Sequence, residues 1–213
     1  MKTDRLVSML AAQLEPVPRH RTSQRLWLAL AVGLPFAVAW AWMAFGPRRD
    51  LIQAMFWPMF WVRLLFGVSI GAAGFVIVHR LARPGVRVRR AWVGLAAPLL
   101  LIWVLALVAL WAAPAGERAE LVWGQTWRSC GASIAMISLP VFLTALWALK
   151  GLAPTRPALA GAAAGLLAGG TGAAVYAFHC QELAAPFIAM WYVAGIALPV
   201  VAGAVVGARL LRW

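Results

Sequence analysis

Charge is scarce in this sequence. Of 213 residues, 12% are charged, and six are acidic: Asp4, Glu15, Asp50, Glu117, Glu120 and Glu182. A soluble domain carries about 25% charged residues. There is too little polar surface here to cover a water-soluble globule. None of the six acids falls inside a long apolar run. Intramembrane enzymes and ion-coupled carriers need ionisable groups at depth, and here they are missing. H-E-x-x-H, G-x-S-x-G and phosphate-binding glycine loops are also absent. The chain is therefore expected not to be an enzyme and to carry no cofactor. Reactive side chains are rare as well, with two cysteines and three histidines.

Apolar residues fill the space, at 64% of the chain. Six runs are each long enough to cross a bilayer as a helix of roughly 20 residues. They cover 26–45, 60–78, 91–113, 129–149, 158–178 and 187–208. Pro35, Pro98, Pro140 and Pro199 interrupt four of them, which a helical bundle tolerates because neighbouring groups re-satisfy the freed backbone. The first run is too long for a signal-peptide core, and no A-x-A-like cleavage site follows it. The fold class expected is all-α, a polytopic bundle of six transmembrane helices. Residues 26–213 form the membrane domain, and 1–25 form a helix and basic linker outside it.

The net charge of +13 reads mainly as a topology signal. The N-terminus, 79–90, 150–157 and the C-terminus hold 14 of the 19 basic residues; Arg48, Arg49, Arg63, Arg118 and Arg128 are the other five. The positive-inside rule places the first set, and with it both termini, in the cytoplasm of a multi-pass inner-membrane protein. Direct nucleic-acid binding is not expected, because the basic residues flank apolar spans in contact with lipid. Many of the 13 tryptophans fall near span ends, where indole rings favour the interface. Arg63 is the one charge placed within a span, and it is expected to snorkel outward.

Small residues mark the packing. Gly161, Gly165 and Gly169 recur every four residues, and Gly67 and Gly71 repeat that spacing. This period lets helix backbones approach closely, and the fifth span is expected to be central. Ser69, Ser133, Ser138, Thr144, Thr171 and Tyr176 are expected to hydrogen-bond between helices. Near the N-terminus, Leu6, Val7, Leu10 and Leu14 form one apolar stripe on a short helix with Thr3 as N-cap. Two readings stand for this stripe. It either lies on the inner leaflet or docks into a groove on a cytoplasmic partner.

The stretch "FHCQE" at 178–182 holds one of the two cysteines, beside a histidine. Cys130 opens the fourth span and Cys180 follows the fifth. A rise of 1.5 Å per residue puts both roughly 30–35 Å from the turn at 150–157. The thiols are therefore expected at similar heights, at the outer membrane surface. Arg128 and His179 stand beside them, and nearby cations favour the reactive thiolate. A redox or metal sensor, a structural disulfide and simple apolar packing are all open readings. A transient inducer metal on Cys130, Cys180 and His179 is one form of the first.

The chain resembles the NrsF-type membrane proteins, negative regulators of extracytoplasmic-function sigma factors in Gram-negative bacteria. "MKTDRLVSML" at the start, "TWRSC" at 126–130, "HCQE" at 179–182, "WYVAGIALP" at 191–199 and the terminal "RLLRW" carry the likeness. Gly131 and Gln181 stand where family members often have proline. The resemblance implies an anti-sigma factor that holds its sigma factor at the membrane. It also implies release when heavy metal or oxidant acts on the cysteine pair, and it favours partner binding by the N-terminal stripe. A small-solute transporter or channel subunit, or a structural membrane subunit, is the alternative reading. A homo-oligomer stays open.

Overall fold

The computed structural model describes residues 3–12, 20–83, 86 and 89–212. Nine helices occur among them: α1 (Thr3–Ala12), α2 (Arg21–Ala44), α3 (Leu51–Ala54), α4 (Pro58–Leu81), α5 (Arg89–Ala112), α6 (Arg118–Trp123), α7 (Trp127–Lys150), α8 (Pro157–Tyr176) and α9 (Ala185–Leu210). α9 is irregular at its start, with a π-helical stretch at Ile188–Tyr192 before regular helix from Val193. No strand occurs among the described residues. Six of the helices, α2, α4, α5, α7, α8 and α9, are long and apolar enough to cross a membrane. α2 begins at Arg21 rather than Leu26, because helical hydrogen bonding continues past the apolar run into the polar flank.

The outward faces of these helices are apolar. Phe36 and Met43 on α2 and Leu100, Leu107 and Trp111 on α5 are all exposed. Exposed apolar surface of this extent marks contact with a non-aqueous phase or a partner. Six apolar spans with lipophilic outer faces are consistent with a membrane protein.

In lipid no hydrophobic force draws helices together, so close backbone packing must do it. α8 is the centre, with α4, α7 and α9 packed around it. One face of α8 meets α4. A Cβ at Gly67 would come within 2.7 Å of the Ala174 nitrogen, Gly71 faces Thr171, and Gly74 abuts the Leu167 backbone. Another face of α8 meets α9. There a Cβ at Gly161 would lie 2.8 Å from the Gly207 Cα, one at Gly169 would lie 3.1 Å from the Ile196 Cα, and Gly165 faces the Pro199 carbonyl. α5 is peripheral and packs mainly against α4 and the start of α9.

Tyr176 on α8 hydrogen-bonds Ser133 on α7, between helices as expected, but three other hydroxyls behave differently. Ser138 donates to Ile134 O, Thr144 to Pro140 O and Thr171 to Leu167 O, all within their own helices. A carbonyl one turn back is the nearest acceptor, so these side chains satisfy themselves locally instead of bridging helices.

Leu6, Val7 and Leu10 fall on α1, and Val7 is exposed. Thr3 is the first helical residue rather than a cap before it. Leu14 lies outside the described residues, as do Pro16 and Pro18.

Candidate functional site

The candidate site lies at the end of the bundle where α7 begins and α8 ends, here called the thiol end. Both cysteines sit there with free thiols, and both are buried: Cys130 is 0% exposed and Cys180 is 2%. They share one end, but they lie beneath the surface rather than at it. The segments connecting the spans at this end contain the short helices α3 and α6.

The first turn of α7 carries Cys130, whose amide donates to Thr126 O at 3.0 Å. Cys180 follows the frayed end of α8, and its amide donates to Tyr176 O at 3.0 Å. Tyr176 lies beside both thiols and Ser133. Tyr192, fully buried on the π-helical stretch, completes the group, with its ring 5.9 Å from that of Tyr176. The chain has two cysteines and two tyrosines, and all four meet here. A π-helical insertion re-aims the side chains that follow it, and such insertions concentrate at functional sites.

Two arginines hold this assembly. Arg63 does not snorkel; it is completely buried. Its guanidinium donates to Ala177 O at 2.7 Å, to Cys180 O at 3.0 Å and to Glu182 O. Main-chain acceptors lie close to its position on α4, so the charge is satisfied inside the bundle and has no need to reach the surface. Arg48, 7% exposed, donates to the same Cys180 carbonyl at 3.1 Å and pairs with Asp50 at 2.6 Å. That pairing holds the Asp50 carboxyl below the usual carboxylate range and pushes Arg48 up. Glu182 closes the loop by accepting from the amides of Gln125 at 2.7 Å and Thr126 at 3.3 Å.

The two expected tuning neighbours are turned elsewhere. His179 Nδ1 is 2.9 Å from Gly46 O, and its ring packs against Phe45 and Tyr176. Arg128 lies over the Trp127 ring, 5.2 Å from its centroid, at the exposed rim of a cluster with Trp123 and Trp191. Arg63 is the cation that neighbours Cys130. Among the described residues, no three His, Cys, Asp or Glu side chains gather to hold a metal ion, so His179 does not join the thiols as a third ligand. The chemistry left to the site is that of two buried thiols without a ligand shell.

Sequence reasoning missed Arg48, Arg63, Tyr176 and Tyr192 as site residues. Scarcity was the available signal: Arg63 is the one charge within a span, and the tyrosines are as rare as the cysteines.

A family model described as NrsF, negative regulator of sigma F, matches residues 10–213. The chain belongs to the NrsF family. It is 43% identical over 213 residues, the full length of both proteins, to the probable anti-sigma-F factor NrsF of Azospira oryzae. It is 38% identical over 218 aligned positions, again all of both chains, to the anti-sigma-F factor NrsF of Caulobacter vibrioides. No solved structure matches it. The NrsF match spans the thiol end and all six apolar helices, so the site described above lies within the family's common region.

Proposed function

We propose that this protein is an inner-membrane anti-sigma factor that holds an extracytoplasmic-function sigma factor on its cytoplasmic side. The observation that carries this reading is the end-to-end relationship to two anti-sigma-F factors. Both termini face the cytoplasm in this reading, supported by the 14-to-5 division of basic residues. The protein works by binding, not catalysis. The stripe of Leu6, Val7, Leu10 and Leu14 docks on the sigma factor, and the exposure of Val7 on α1 supports an unfilled apolar face there.

The thiol end then faces the periplasm. Heavy metal or oxidant acts on Cys130 and Cys180, either by a shared soft cation or by oxidation of both thiols to one disulfide. The sigma factor is released as a result. The burial of both free thiols in one group with both tyrosines supports a single shared site.

The test has two arms. The sigma factor should co-purify with the detergent-extracted protein; its absence would overturn the partner. In cells, Cys130→Ser and Cys180→Ser should each abolish the response to cadmium or oxidant, with the double variant no worse than either single one. A normal response in both single variants makes the thiols packing residues.

A further inference from the structure

Arg63 sits about a turn and a half inside α4 and is fully buried. A charge at that depth is costly unless it is bonded. The one ion pair among the described residues is Arg48–Asp50, so no carboxylate neutralises Arg63. Its partners are three main-chain carbonyls instead.

One of these carbonyls, that of Ala177, ends α8, and the other two lie in the irregular segment that follows it. The last carbonyls of any helix lack internal partners and carry the negative end of the helix dipole. α8 has no basic residue in its own last turn. Ala177 is its C-cap, and Cys180 and Glu182 continue from it. Arg63 thus caps α8 from a neighbouring helix. The Cys180 carbonyl also receives Arg48, which is fixed by Asp50 and by its own amide donating to Phe178 O at 3.2 Å. Two cations on two different elements therefore grip one peptide group, the one that carries the buried thiol.

The grip is incomplete. Arg63 Nε and the Tyr192 hydroxyl are buried without partners. An unmet buried donor costs stability, so this packing is poised rather than fully satisfied. Beyond Arg63, α4 is held to α8 by Gly67, Gly71 and Gly74 down to the loop that starts at Ala82.

We propose that Arg63, with Arg48 as its second hand, is the latch of the thiol switch: it anchors the Cys180 peptide to α4 in the resting state, and Cys180 becomes reactive only when that anchor lets go. The latch rests on the sensing role proposed above, but it is a positioning device and can be measured without the sigma factor. Release of the anchor frees the α8 end from α4, and the glycine-packed α4–α8 pair carries the shift to the opposite end as a rigid unit.

The experiment uses the full-length chain in proteoliposomes, with no inducer and no partner. Cys180 is the sole thiol, in a Cys130→Ser background, and maleimide labelling is followed over time. Charge-assisted bonds of this kind make opening rare, so Arg63→Gln should raise the labelling rate at least about tenfold. Arg63→Lys should fall between, because an ammonium cannot span three carbonyls as a guanidinium does. Arg48→Gln lies outside the span and should give a few-fold rise even if Arg63→Gln does not fold. The complementary background, Cys180→Ser with Cys130 alone, should label as slowly with Arg63→Lys as without it; a rise there equal to that at Cys180 would mean general loosening and would overturn the latch. Unchanged Cys180 labelling in both Arg63→Lys and Arg48→Gln would overturn it too. A rise at Cys180 alone, with Cys180→Ser cells still responding to inducer, keeps the latch and sinks the sensing role instead.

Discussion

The two ends of the bundle use positive charge in opposite ways. At the thiol end, Arg48 and Arg63 are buried and bonded to main-chain carbonyls. At the other end, Arg21, Lys150, Arg156, Arg209 and Arg212 are exposed. A guanidinium at one end is scaffold; at the other it is a solvent-facing charge beside a span. Of the five basic residues outside the majority set, two are internal, leaving Arg49, Arg118 and Arg128 facing out. Burial therefore separates structural arginines from surface charge, a distinction that a count along the sequence does not make.

The most drastic way to break this comparison is to map the ends directly. Alkaline phosphatase fused after Glu117 or Glu182 should be active, and fusions after Arg83 or Arg156 should be inactive. The reverse pattern would put the thiol end in the cytoplasm. A large effect is also expected from the helix that joins the ends. Gly165→Leu would drive a side chain into the Pro199 carbonyl, with no flexible neighbour to give way. Overpacking of this kind costs about 3 kcal/mol, and the protein should lose its cooperative thermal transition in detergent. Gly94→Ala on exposed α5 meets nothing within 4 Å. It should leave the transition unchanged or raise it slightly, since alanine suits a helix better by roughly 0.5–1 kcal/mol.

If α1 docks on the sigma factor as proposed, Val7→Asp should switch target genes on without stress while protein levels hold steady, because an unpaired carboxylate is unfavourable in an apolar groove. Unchanged repression would move the contact to another surface. The smallest effect belongs to Asp50, which is exposed. Its carboxyl is held low by Arg48, so the pair is intact above the ordinary carboxylate range near pH 4 and is lost as pH falls through the lowered value. Asp50→Asn should speed Cys180 labelling less than about threefold at neutral pH, and with a thiol reagent that works in acid the difference from the unmodified chain should shrink as pH falls through the lowered carboxyl pKa.

Much of the membrane domain was legible because bilayer thickness fixes the length of an apolar run, and all six runs correspond to helices. The glycine positions were legible because close approach needs small residues at a four-residue period. The thiol end was only half legible. Spacing brought Cys130 and Cys180 to one end, since helices rise at a constant rate. It could not tell that the connections at this end would contain α3 and α6 or that both thiols would be buried, because short irregular segments obey no period. Arg63 was misread for a related reason. Sequence shows that a charge lies within a span, but the three carbonyls that make its burial tolerable come from residues 114 to 119 positions away.

The burial of the two thiols also sets who can speak to them. A sulfur with 0–2% of its residue exposed is out of reach of anything the size of a protein. Thiol–disulfide exchange demands in-line contact between sulfurs, so an oxidoreductase cannot load or unload this pair without the cover opening first. Ions and molecules of a few atoms face a far lower barrier. If the thiols do sense small toxicants as proposed, their cover acts as a sieve, which keeps a protein oxidoreductase from fixing the pair in one state while it is closed.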